Sequence, residues 1–219
     1  MLNLKEREER KKTIGASEIY KLLNFDNVGC QELWELKVGI RDYEEIENDS
    51  IDAGNILEED GLNYYAESNK CELILNERIA NKDVPKIVCS YDGREKDTLI
   101  PIENKIIKES TFKKWKRIKK GNCEYLGEFY SIPKSYYCQL QMQIDTSNTE
   151  FGILNVNTLT DEEVENPISV IITEIHNKQL KFYRDEECIK ELKNRAKYFI
   201  HCMEYKKRPS ELEYIENEF

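Results

Sequence analysis

The chain has 219 residues, 39% of them hydrophobic and 35% charged, and its 33 basic and 43 acidic side chains give a formal net charge of −10. That length suits one domain with a real core, the apolar content excludes a disordered chain, and the apolar runs are too short to span a bilayer. The charged N-terminus is no signal segment, and seven scattered cysteines without a CxxC pair exclude a disulfide framework and a zinc site and point to a reduced, cytoplasmic compartment.

In chain order, Ala16 to Leu23 reads as a short helix with Ile19, Leu22 and Leu23 on its apolar face, and Ser17 in its first turn. Gln31 to Val38 repeats the pattern. An acidic loop from Arg41 to Asp52 leads to a longer helix, Ala53 to Ser68. Strand-like pieces follow at Cys71 to Leu75, Ile87 to Ser90 and Leu99 to Lys105, with a turn at Asp92-Gly93 before the last. Lys113 to Lys120 and Tyr125 to Tyr130 form a basic, aromatic connection. Lys134 to Asp145 reads as a helix, Phe151 to Asn157 and Ile168 to Glu174 as strands, and His176 to Phe182 as a further strand. A final helix from about Glu186 to Tyr205 keeps Ile189, Leu192, Ala196, Phe199 and Met203 on one face. The expected fold class is α/β, a mixed central sheet flanked by helices. It forms a single domain over 1–219, with core motifs in 10–145 and C-terminal strands and helix in 150–205.

The chemistry concentrates in Cys89-Ser-Tyr-Asp-Gly-Arg and Ile102-Glu-Asn-Lys. Asp92 and Glu103 supply carboxylate oxygens of the kind that hard cations such as Mg²⁺ or Mn²⁺ prefer, and the Asn104 carbonyl adds another. On a strand, Glu103 and Lys105 share a face, so Lys105 can orient an attacking water or stabilise developing negative charge. Two carboxylates and an ammonium are what phosphodiester hydrolysis with a divalent metal requires. Glu58, on the upstream helix, could complete a metal shell. Gln139 and Gln143 share a face of the Lys134–Asp145 helix, whereas Gln141 points elsewhere; an amide there can hold a water or a phosphate oxygen. Ser17, near a helix start, and Arg10 suit an anion. From Lys105 to Lys120 there are eight Lys or Arg, Lys113 and Lys114 among them, and one acid. The plain reading of such a run is a solvated face; its place directly after the Glu-x-Lys strand favours a polyanion track. His176 and His201 lie away from every motif, and no Gly-rich phosphate loop occurs.

These segments together resemble a known family. Ile14-Gly-Ala-Ser-Glu-Ile, Glu32-Leu-Trp-Glu-Leu-Lys-Val-Gly, Gly54 to Glu58, Ser90-Tyr-Asp-Gly, Ile102-Glu-Asn-Lys and Gln139-Leu-Gln are similar, in order, to motifs of the lambda-exonuclease or YqaJ-type viral recombinase branch of the PD-(D/E)xK nucleases. Two positions depart: Tyr91 stands where proline is common, and polar Asn104 where an apolar residue is usual. The resemblance implies a restriction-endonuclease-like core. It implies a metal set of Asp92, Glu103, the Asn104 carbonyl and Glu58 for one or two Mg²⁺ or Mn²⁺ ions. Lys105 and Gln139 would act on the water. Arg10 and Ser17 would hold a 5′-terminal phosphate, with Gln141, Lys113 and Lys114 on the DNA. The implied activity is an exonuclease on double-stranded DNA ends, 5′ to 3′. The implied assembly is a ring-shaped homotrimer beside a single-strand annealing protein in phage recombination, in the bacterial cytoplasm and with no membrane. Two alternatives stay open at this point: an endonuclease of restriction or defence type, which needs no terminal-phosphate pocket, and an inactive DNA-binding module.

Overall fold

A computed structural model of the chain describes residues 4–42, 49–115, 117–118, 123–124, 129–130 and 132–216. It opens with helix α1 (Leu4–Lys12), strand β1 (Ile14–Gly15), a 3₁₀ turn at Ile19–Leu23, and helices α2 (Val28–Lys37) and α3 (Asp49–Asn69). Strands β2 (Leu73–Leu75), β3 (Arg78–Ala80), β4 (Ile87–Ser90), β5 (Gly93–Glu95) and β6 (Pro101–Lys108) follow. After the one-turn α4 (Glu109–Phe112) come short pieces β7 (Arg117–Ile118), β8 (Cys123–Glu124) and β9 (Phe129–Tyr130). Helix α5 (Lys134–Ser147), strand β10 (Phe151–Leu159), helix α6 (Asp161–Glu165), strand β11 (Asn177–Tyr183) and helices α7 (Glu186–Glu204) and α8 (Glu211–Glu216) complete it.

Six strands form one sheet in the order β2-β5-β6-β10-β11-β8. β6 and β10 run parallel, with Glu103 beside Leu154 and Asn104 beside Asn155; the other pairings are antiparallel, so the sheet is mixed, as expected. A three-stranded sheet, β1-β4-β3, stands alongside it. The pleat sorts β6 by parity. Ile102 and Ile106 pack with α3 residues, whereas Ile107 joins Leu140, Ile144, Leu154 and Val156 on the α5 side. Glu103 and Lys105 therefore face α5, and Asn104 faces α3. The helices α2, α5 and α7 and the 3₁₀ turn enclose the largest apolar cluster, which includes Phe25, Trp34, Met142, Tyr198 and Phe199. Burying such side chains removes them from water at about 1.5–3 kcal/mol each.

Several expectations are corrected. The segment Ile168–Glu174 is no strand: it begins within the 3₁₀ turn Pro167–Ser169, and Ile168 and Ile171 are 84% and 79% exposed. The place beside β10 is taken by β11, leaving the apolar run no partner strand. Asp92-Gly93 does not close a turn; Gly93 starts β5, and the reversal falls at 96–99, where Leu99 has a φ of 59°. The short helix expected over Ala16–Leu23 is a five-residue 3₁₀ turn that begins after Ser17. Parts of the acidic loop (43–48) and of the basic, aromatic connection (116, 119–122 and 125–128) lie outside the described residues.

Candidate active site

A cleft of about 270 Å³ is lined by Arg10, Thr13, Gly15, Ala16, Ser17, Glu18, Lys37, Arg78, Val88, Ser90, Asp92, Glu103, Lys105 and Gln139. It collects residues separated by about 130 positions from α1, β1, β4, β6 and α5, where β1 pairs with β4 and α5 packs on β4 and β6. At its floor Glu103 is fully buried. One carboxylate oxygen receives the Lys105 ammonium, and the other receives the Gln143 amide at 2.6 Å. The same amide also donates to the Ser90 carbonyl at 3.1 Å. Asp92 accepts the Asn104 backbone N–H at 2.8 Å. On a strand the N–H and C=O of one residue point to the same side, so the Asn104 carbonyl is directed toward Asp92.

The electrostatics follow from burial. Loss of water pushes the Asp92 carboxyl up to about 8, and the Glu103 charge adds to this; Lys105, the Asn104 N–H and Glu58 act less strongly. Burial alone would lower Lys105, but the charges of Glu103 and Asp92 outweigh it and hold the ammonium above its ordinary value. The ammonium also lies 5.6 Å from the centre of the Tyr136 ring.

Ser17 and Arg10 line the same cleft and are exposed. Arg10 stands in the last turn of α1, and its carbonyl accepts Lys37 Nζ at 2.8 Å. The Glu18 carboxylate takes the Gly15 N–H at 2.8 Å and Lys37 Nζ at 2.7 Å. Lys37 is buried, and its desolvation lowers its pKa against the opposing Glu18 charge. With Ser17 ahead of a five-residue 3₁₀ turn, the helix-dipole argument for an anion loses force; what remains is a hydroxyl that lines the same cleft as Arg10 and Lys37.

A family model for the YqaJ-like viral recombinase domain matches residues 7–150. The chain belongs to the YqaJ-like viral recombinase family. Among curated proteins none matches the sequence. An alkaline exonuclease (LHK-Exo) from Laribacter hongkongensis superposes with a TM-score of 0.68 at 18% identity, over 95% of this chain and 94% of that one. LHK-Exo in complex with dAMP gives 0.67 at 17% identity, over 96% and 95%. A phage related exonuclease from Haemophilus somnus 129PT gives 0.58 at 15% identity, over 89% and 96%. At these identities the likeness is one of fold, and that fold is the PD-(D/E)xK nuclease core.

In this YqaJ-like domain the structure brings Asp92, Glu103, Lys105, Gln139, Arg10 and Ser17 to one cleft. Glu58 is close enough for its charge to act on Asp92, but its side chain borders a neighbouring cavity with Asn55, Glu59, Leu62, Leu75 and Asn76. Lys113 and Lys114 are exposed beyond the end of β6, and Lys113 pairs with Glu109 at 2.8 Å. Gln141 is a correction: it is fully buried, donates to the Tyr183 carbonyl at 2.8 Å and accepts the Asp185 N–H at 2.9 Å, so it ties α5 to the start of α7 and is not presented to DNA. Sequence reading noted Gln143 only as sharing a face with Gln139, not as the donor to Glu103, and it passed over Lys37 and Arg78 among the cleft residues. The i, i+4 relation of Gln139 and Gln143 carried the signal for Gln143. Lys37 sits in a segment already noted for its resemblance, and nothing in the sequence marks Arg78.

Among the described residues no three His, Cys, Asp or Glu side chains form a ready metal cage. The donors present nonetheless fit a hard cation that takes one or two carboxylates and keeps its waters: Asp92, Glu103 and the Asn104 carbonyl. The Gln143 side chain that donates to Glu103 also carries a buried Oε1 with no hydrogen-bond partner among the described residues.

Proposed function

We propose that this chain is a Mg²⁺- or Mn²⁺-dependent exonuclease on double-stranded DNA ends, digesting 5′ to 3′ in phage-type recombination. The observation that carries the reading is a single cleft lined by the buried Glu103, the half-buried Asp92 and the Lys105 ammonium held between acids, together with the exposed Arg10 and Ser17. Asp92, Glu103 and the Asn104 carbonyl would hold the metal, with Glu58 serving a second ion. Bound there, a divalent ion supplies charge neutralisation at the scissile phosphate and a more acidic water.

The chain's own groups do the rest. Gln143 and Lys105 fix the Glu103 carboxylate from both oxygens, so its geometry is set before any ligand arrives. Lys105, kept cationic by its two acidic neighbours, stabilises charge developing on the phosphate rather than removing a proton. Gln139 places a neutral amide at the cleft to hold a water or a phosphate oxygen. Arg10 and Ser17 grip a terminal phosphate, Arg10 through its paired N–H groups, and Lys113 and Lys114 lie along the outgoing duplex. The working unit is one nuclease domain, and by family likeness it assembles as a trimer beside an annealing protein.

Three substrates test the reading: a linear duplex with 5′-phosphate, the same duplex with 5′-hydroxyl, and a closed circle. Digestion with Mg²⁺ of the phosphorylated end, several-fold faster than the hydroxyl end and with the circle untouched, is the expected result. Cutting of the circle would make the chain an endonuclease. Intact linear DNA in both Mg²⁺ and Mn²⁺ would end the nuclease reading.

A further inference from the structure

The face of the sheet away from the cleft carries a cluster of buried asparagines. Asn104 on β6, Asn155 and Asn157 on β10 and Asn177 on β11 are each at most 9% exposed, on a face whose other residues include Ile102, Ile106 and Ile153. Every amide is engaged. Asn104 Oδ1 accepts from Asn155 at 2.8 Å and from Asn157 at 2.9 Å. Asn177 donates at 2.8 Å to both Asn155 and Asn157. Two members reach across to helix α3: Asn155 donates to the Gly61 carbonyl at 3.1 Å, and Asn104 donates to the Glu58 carbonyl at 3.2 Å. Helix α3 comes this close because residue 61 has no Cβ; one there would lie 2.5 Å from Asn157 Nδ2.

A plain apolar face would hold α3 by area alone and leave it free to slide by a fraction of a turn. Directional amides, fully satisfied, admit one register of helix on sheet. The residue they fix to α3 is the one whose backbone N–H holds Asp92, and the carbonyl they fix belongs to Glu58 itself. We propose that the side-chain amides of Asn104, Asn155 and Asn157 form a positioning network that sets Glu58 relative to Asp92 and Glu103, and so sets divalent-ion affinity without those amides touching metal or DNA. The inference rests on the reading of those three acids as the metal site.

The test is a Mn²⁺ titration by calorimetry on the full chain for wild type, Asn155→Ala, Asn157→Ala, Glu58→Gln and the two double variants. Loss of a supporting shell costs about 10- to 100-fold in metal affinity, and a loss of about tenfold is expected for Asn155→Ala. Adding Glu58→Gln to either asparagine variant is expected to weaken binding no further than Glu58→Gln alone, which a general loss of packing would not produce. Losses that multiply, or asparagine variants that bind Mn²⁺ as wild type does, would overturn the network while leaving the nuclease reading standing. A wild-type chain that neither binds Mn²⁺ nor degrades linear DNA overturns both. Should Asn155→Ala not fold, Asn157→Ala decides alone, since it keeps the Asn155 bonds to Gly61 and Asn104.

Discussion

At the scale of single residues, the site is a carboxylate fixed from both sides and a second carboxylate starved of water. Gln143→Ala removes the donor to one oxygen of Glu103 and to the Ser90 carbonyl. We expect activity to fall about 10- to 100-fold, with a higher Mn²⁺ requirement, and a variant as active as wild type would show the clamp to be idle. Asp92 gives a pH prediction. Its folded pKa of about 8 lies above the ordinary carboxylate value of about 4. Without metal, this group's contribution to stability is therefore whole below pH about 4 and is lost as pH rises toward 8. Asp92→Asn keeps an acceptor for the Asn104 N–H and removes the buried charge. At pH 8 the metal-free variant should melt higher than wild type, by about 3 °C or more, while its Mn²⁺ binding disappears. Equal melting temperatures would show that Asp92 is not destabilised by burial. Glu103 and Lys105 were legible because an i, i+2 spacing on a strand fixes their common face. The glutamines were not, because the sequence gives a helix's period but not its rotation about its own axis, and the structure turns Gln143 to Glu103 and Gln141 to the start of α7.

Elements show where local pattern yields to the space available. The strand expected over Ile168–Glu174 has β-branched residues enough, yet β11 already fills the edge of β10, and Pro167 opens a 3₁₀ turn instead. The strand β3 was missed because three residues carry no readable alternation. The closing helix was legible throughout, since its apolar stripe runs over five turns, and Asp185 caps it by accepting the Cys188 N–H at 3.0 Å. Removing that cap in Asp185→Ala should cost about 1 kcal/mol, read as a shift in urea midpoint. The contact of α3 with the sheet is stricter. Gly61→Ala would normally gain up to about 1 kcal/mol in helix propensity, but the added methyl meets Asn104 and Asn157. Overpacking of about 1–3 kcal/mol should prevail, so the variant is expected to unfold at lower urea. A stabilised Gly61→Ala chain would mean the helix can draw back.

For the whole molecule, a net charge of −10 sets the acidic body against its proposed polyanionic substrate, and the cleft offsets this locally with Arg10, Lys37, Arg78 and Lys105. With the proposed ion, folding and metal binding would be coupled through Asp92 and Glu103, since an ion that binds the folded chain alone stabilises it by RT ln(1 + [L]/Kd). The rise in melting temperature on adding Mn²⁺ should be larger at pH 8.5 than at pH 6, where Asp92 holds a proton; equal rises would separate the ion from Asp92. The pairing of β6 with β10 has one more consequence, for the order in which the chain becomes competent. Every candidate site residue lies before residue 150, the end of the stretch that the family model matches. The strand bearing Glu103 and Lys105 nevertheless gains its parallel neighbour from Ile153–Leu159. A nascent chain is therefore expected to carry all the candidate reactive groups before β10 can complete the strand that bears Glu103 and Lys105. A fragment ending at residue 150 should hold every one of those side chains and leave DNA intact.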